Sequence, residues 1–174
     1  MTEPRIRPDP AFALLSMYED VLPEVYGYLL SRCGNRTLAE ELTSETFLGA
    51  VSACRRPGAP PVSKGWLIGI ARHKLADHWR AQEREDRKLR LVHDAGDERV
   101  DPWEAELDAL RARQVLARLR PQHRAALTLR YLDGLSVPEV AEHLARTVHA
   151  TEALLVRART AFRRHYEGKE GSDD

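Results

Sequence analysis

The sequence predicts an all-α protein built from two small helical domains, and three observations lead there. Apolar residues recur at three- and four-residue spacing almost throughout, and no alternating run marks a strand. Residues suited to start a helix stand ahead of most periodic segments. One polar, acidic stretch, HDAGDERVDP, breaks the pattern and divides the 174 residues into two parts.

The elements follow in order. A first helix is expected over about Ala11–Ser31, where Phe12, Leu15, Leu22, Tyr26 and Leu29 fall near helical spacing. Pro23 inside it is expected to kink or divide it. CGNRT breaks the chain, and Thr37 with Glu40 three residues on has the pattern of a capping box. The second helix then runs to about Cys54 and buries Leu38, Leu42, Phe47 and Val51. RRPGAPPVSK is a proline- and glycine-dense loop, and Ser63 caps a third helix from Lys64 to about Leu91.

After the acidic stretch a second helical domain extends from about Trp103 to Tyr166. Pro121 starts a helix carrying Ala126, Leu127, Leu129 and Tyr131 and ending at Asp133–Gly134. Ser136 and Glu139 form a second capping box, for a short helix ending near Leu144. Thr147 caps a longer last helix with Val148, Leu155, Ala158 and Phe162 on its apolar stripe. Short helix, tight turn and longer basic helix match a helix-turn-helix. A three-helix bundle with a solvated arginine face fits the same segment. Ala145 stands at the turn position often taken by glycine, where a left-handed backbone costs of order 1 kcal/mol.

The zero net charge hides segregation. Residues 1–53 hold four basic and eight acidic residues, and residues 54–93 hold ten and four. Residues 94–110 hold one and seven, and residues 111–168 hold eleven and five. Two basic blocks separated by an acidic connector suit a protein that meets polyanions on separate surfaces. The stretch KGWLIGIARHKLADHWRAQER adds aromatic rings to its cations, a pairing that opened or single-stranded nucleic acid favours.

Other classes find little support. Cys33 and Cys54 are too few for a disulfide framework. No run approaches the ~20 apolar residues of a membrane span, and the N-terminus lacks a signal-peptide layout. A cytoplasmic protein without membrane insertion is expected. The histidines and cysteines show no zinc-like spacing, and no phosphate-binding glycine loop or nucleophile motif is present. No catalytic residue, metal or cofactor is therefore expected.

In order, AEELTSETFLGAV, a Pro/Gly loop, KGWLIGIARHKLADHWR, an acidic linker and LRPQHRAALTLRYLDGLSVPEVAEHLARTVHATEALLVRARTAFRR resemble the bacterial sigma factors of the extracytoplasmic-function group, in the sigma-70 family. The resemblance implies sigma domain 2 over residues 10–92, a linker over 93–107 and sigma domain 4 over 108–167. It implies a chain that binds core RNA polymerase at the clamp helices and flap, binds promoter DNA, and is held by an anti-sigma factor, with no homo-oligomer.

On the second helix the resemblance assigns Glu40, Glu41, Leu42, Glu45 and Phe47 to the polymerase. It assigns Arg55, Arg56, Lys64, Trp66, Arg72, His73, Lys74, Trp79 and Arg80 to the −10 element. Lys64, Arg55 and Arg56 would border a pocket for a flipped base, and Arg72, Lys74, Arg80 and Arg84 would hold phosphates. Trp66, in register with Ile70, also fits a core position, whereas Trp79 is the better candidate for exposure, or packs between domains. In the last helix it places Glu152, Ala153, Val156 and Arg157 toward −35 bases, and Arg130, Thr147 and Arg159 near the backbone. His73, Glu152 and Leu154 depart from the family's usual residues, so the preferred bases stay open. A helix-turn-helix regulator that does not act through core polymerase is the alternative, and it leaves the first 90 or so residues without a role.

Overall fold

The computed structural model describes residues 9–89 and 109–168. The expected linker over 93–107, with Trp103, lies outside the described residues. Within them the chain forms helices and turns and no strand. It divides into two units at Leu75/Ala76, so the long third helix gives its N-terminal half to the first and its C-terminal half to the second.

In the first unit, α1 spans Pro10–Cys33. Asp9 caps it by accepting from the Ala11 N–H at 3.0 Å, and Pro10 fills the first helical position, where a missing N–H costs nothing. Pro23 neither divides nor ends the helix. The residue is exposed, so the carbonyl its ring deprives of a partner is left to solvent. Gly34, at φ 64°, closes α1 with its N–H on the Leu30 carbonyl at 2.9 Å.

Helix α2, Arg36–Cys54, starts earlier than the capping-box reading placed it. Asn35 is the cap, accepting from the Leu38 N–H at 3.0 Å, and Glu40 pairs instead with Arg36 at 3.1 Å. Once Gly34 reverses the chain, the next residue with a suitable side chain takes the cap, and Thr37 is already inside the helix. Leu14, Val21, Val25 and Leu29 on α1 and Ala39, Leu42, Phe47 and Ala50 on α2 are buried in the hairpin these helices form. Thr43 and Thr46 are buried with them, each hydroxyl returned to the carbonyl four residues back at 2.6 and 2.7 Å. Helix α3, Lys64–Leu89, begins at Ser63, whose hydroxyl accepts from the Trp66 N–H at 3.2 Å. Gly49 lets α3 come close, with Ile70 Cγ2 and Lys74 Cε each 3.6 Å from where its Cβ would stand.

The second unit adds α4 (Ala109–Arg118), α5 (Pro121–Leu127), α6 (Val137–His143) and α7 (Val148–Glu167). Helix α5 runs on into one π-helical turn over Thr128–Leu132, closed by the Asp133 N–H on the Thr128 carbonyl at 3.0 Å. Both expected caps are present. Ser136 and Glu139 bond reciprocally, and Thr147 accepts from the Ala150 N–H at 3.1 Å. Ala145 is left-handed at φ 51°, in the turn between α6 and α7. Helix α7 is the hub and packs on α4, α5 and α6 through Thr151, Leu154, Leu155, Ala158 and Phe162. Val148, expected in that stripe, is 44% exposed, whereas Thr151 three residues on is buried. Arg111 of α4 ties down the far end, donating to the Tyr166 carbonyl at 2.5 Å with its guanidinium over the Tyr166 ring.

Candidate nucleic-acid interface

The acidic surface lies on α2. Glu40, Glu41 and Glu45 are all exposed. Glu41 and Glu45, four residues apart, share a face. Leu42 and Phe47 do not join them. Leu42 is 3% exposed, and Phe47 is 8% exposed with its ring edge-on to Tyr18, centroids 4.9 Å apart. Both lie on the arc of α2 that faces α1, so they shape the acidic face from beneath. Leu48, 68% exposed beside Glu45, is the apolar group on that surface which helical periodicity did not single out. A groove of about 450 Å³ runs beside it, lined by Leu22, Pro23 and Tyr26 of α1 and by Arg36, Glu40 and Ser44 of α2.

Along α3 and the preceding loop the candidate residues separate. Arg55 and Arg56 are exposed, and Gly58 at φ 78° turns the loop beyond them. Lys64 forms an ion pair with Glu24 of α1, and Lys74 pairs with Glu45 at 3.8 Å. Trp66 and Arg72 are half-buried, and His73 is exposed. Trp79 is 1% exposed, with the Arg124 guanidinium 5.8 Å from its ring centroid, inside the second unit. In this arrangement its ring offers no face for a base. Arg80 is half-buried and pairs with Asp77. Arg84, further along α3, is exposed, as are the loop arginines and His73.

On α7, Glu152 and Arg157 are exposed, while Ala153 and Val156 are half-buried. Arg159 donates to the Tyr131 hydroxyl at 3.1 Å. Tyr131 stands in the π-helical turn, whose extra residue per turn no propensity rule would have located. Arg130, from the same turn, donates to the Leu135 carbonyl at 2.8 Å. Thr147 is occupied as a cap. Glu152 has His149 at 3.9 Å, which makes an ion pair only when the imidazole is protonated. His123 of α5 sits among cations. Burial first, then Arg120, Arg157 and Arg146, lower its pKa to about 4, so it is neutral near pH 7.

No group of three metal-ligating side chains is placed to hold an ion, and no helix is long and apolar enough to cross a membrane, among the described residues.

Comparison with known proteins gives this geometry a family. Residues 17–85 match the model of sigma-70 region 2, and residues 109–162 match that of sigma-70 region 4. The ECF RNA polymerase sigma factor BldN of Streptomyces coelicolor is 34% identical over 162 residues, covering 88% of this chain. The chain spans 60% of that relative's length. The ECF RNA polymerase sigma factor SigC of Mycobacterium tuberculosis is 35% identical over 128 residues, covering 71% of this chain and 68% of SigC. Among solved structures, the sigma factor RpoE of Bartonella quintana, in complex with the anti-sigma factor NepR, superposes with a TM-score of 0.53 at 21% identity. That match covers 92% of this chain and 98% of RpoE, and is a likeness of fold. With both regions matched in order and a relative above 30% identity aligned over two thirds of its length, the chain belongs to the extracytoplasmic-function group of the sigma-70 family of RNA polymerase sigma factors.

Proposed function

We propose that this chain binds core RNA polymerase and directs transcription initiation at promoters whose −10 and −35 elements it recognises. The observation that carries the reading is the placing of opposite charges on different helices of one chain. Helix α2 exposes Glu40, Glu41 and Glu45, and α7 exposes Arg157. A regulator that used only its helix-turn-helix would have no use for the first surface.

The roles divide as follows. The α2 carboxylates, with Leu48, meet the basic clamp helices of the polymerase. The loop bearing Arg55 and Arg56 and the α3 face at His73 engage the −10 strand as it opens. An exposed imidazole there offers a stacking face to an unpaired base. Arg157 approaches −35 bases while Arg159, steadied by Tyr131, holds a phosphate. Glu152 repels the backbone and accepts from cytosine if it reaches a base edge. Sigma factors are generally not enzymes, and the polymerase supplies the chemistry. An anti-sigma factor covering the α2 surface in the cytoplasm is the natural control, and the RpoE–NepR complex is a fold-level precedent.

Run-off transcription with core polymerase, with and without the full chain, tests the whole. Specific transcripts from selected promoter DNA are the expected result. Duplex binding without any gain of transcription would make the chain a regulator of the other kind.

A further inference from the structure

The second unit contains a cavity that joins Trp79, Arg80 and Arg84, which the family resemblance assigns to promoter DNA, to groups for which it assigns no role. Its volume is about 350 Å³, near the lower end of the range of small-molecule sites. Arg80, Arg84 and Arg87 of α3, at i, i+4 and i+7 on a shared face, line one side together with the carboxylate of Glu83. Arg146, from the turn between α6 and α7, lines the other, with Gln122 of α5 beside it. Trp79, Ala125 and Leu144, all buried, make an apolar floor.

The charges in this cavity do not balance. Arg80 is paired with Asp77 and Arg87 with Glu83. Arg84 and Arg146 have no carboxylate at ion-pair distance among the described residues. The Arg146 guanidinium donates to the amide oxygen of Gln122, at 3.0 Å. The Nε of Arg80 and one carboxylate oxygen of Glu83 are buried without a hydrogen-bond partner among the described residues.

We propose that this cavity binds a small phosphate-bearing anion of nucleotide size. Guanidinium forks converging from two sides match the several oxygens of a phosphate better than a single carboxylate. The apolar floor of Trp79, Ala125 and Leu144 suits a compact ligand better than a continuous nucleic-acid backbone. Burial first, then Arg87 and Arg157 against the opposing pull of Glu83, lower the Arg146 pKa below the usual arginine range, so a bound anion would favour its charged form. The ligand bridges α3 to the turn ahead of α7, and so holds the two elements together when bound.

The test is calorimetric titration of the full chain with inorganic pyrophosphate and, separately, with ATP, in EDTA at fixed ionic strength. One saturable site is expected for at least one of them. Arg84→Gln and Arg146→Gln should each weaken it roughly tenfold or more, as for a lost charge-assisted hydrogen bond. Arg118→Gln, an equal charge change on α4 away from the cavity, should leave it unchanged. Circular dichroism of each variant, with intact helicity expected, separates lost binding from lost folding. Tighter binding of ATP than of pyrophosphate supports the site and places the base on the floor, and equal binding supports it with phosphate alone recognised. Absence of saturable heat with either probe overturns the proposal, as does equal weakening by Arg118→Gln. A single-stranded oligonucleotide that binds more tightly than both probes, with the same dependence on Arg84 and Arg146, overturns it in favour of a nucleic-acid surface.

Discussion

The α1–α2 hairpin and the α6–α7 pair both end one helix and start the next within a few residues, and they do so with different materials. Gly34 closes α1 at φ 64° without steric cost, whereas Ala145 adopts φ 51° between α6 and α7 and meets one. Past the turn, Asn35 caps α2 and Thr147 caps α7, each accepting from an N–H three residues on. The charge laid on the following helix is then opposite: exposed carboxylates on α2, an exposed guanidinium at Arg157 on α7. The comparison teaches that turn and cap set where a helix begins and points, while its outward residues set what it meets. A strained turn is tolerated where caps and buried side chains hold the helices on both sides.

The largest effect that would break this comparison is to give α2 the charge of α7. Glu41→Lys with Glu45→Lys should weaken binding to core polymerase by roughly a hundredfold, since like charges facing each other cost several kcal/mol. Equilibrium titration at two salt concentrations measures it, and unchanged affinity would remove α2 from the interface. Next comes α7. Arg157→Ala should lose about 1–3 kcal/mol of discrimination at one −35 position, whereas Arg159→Ala should weaken all sequences alike and reduce the salt dependence by about one phosphate. A −35 duplex library bound at two salt concentrations separates these outcomes. If Arg157→Ala lowers every affinity equally, Arg157 is a backbone contact.

The turns themselves give smaller, opposite effects. Gly34→Ala should destabilise the chain by about 1 kcal/mol, and Ala145→Gly should stabilise it by about 0.5–1 kcal/mol, less than the strain relieved because glycine loosens the unfolded chain. Urea denaturation reports both, and a loss of stability in Ala145→Gly would mean that the turn is not strained. A separate effect is the pH response of His123. Its pKa in the folded chain, about 4, lies below the ordinary 6.5, so the unfolded chain takes up a proton first. Its contribution is therefore intact above about pH 6.5, is lost progressively as pH falls toward 4, and changes no further below that. The melting temperature of His123→Asn, relative to the parent chain, should rise across that window. A constant difference between the two would show that His123 is not held neutral.

Much of the fold was legible from local chemistry. Ser63, Ser136, Glu139 and Thr147 cap where their side chains and spacing say they should, because a cap bond closes within three residues. The Thr37 cap failed for a reason that was also local but competitive: Gly34 ended α1 so abruptly that Asn35 took the role first. In the candidate interface, Glu40, Glu41, Glu45 and Arg157 are exposed as their charge leads one to expect, whereas Leu42, Phe47 and Trp79 are covered. The wide turn at Thr128–Leu132, which brings Tyr131 to Arg159, left no mark in composition or period.

The sequence by itself determined the helical class, the order of the helices and the separation of acidic from basic segments, because periodicity, capping and charge are written in neighbouring residues. Tertiary structure alone decided which apolar groups are covered. Helix α3 carries Leu67, Ala71 and Leu75 along one line and Ala76 and Trp79 along another, all buried. A helix meets neighbours on more than one side, and its own sequence does not say which sides will be occupied. Leu48 and Val148 remain exposed for the same reason, since burial belongs to the packing around a residue as much as to the residue.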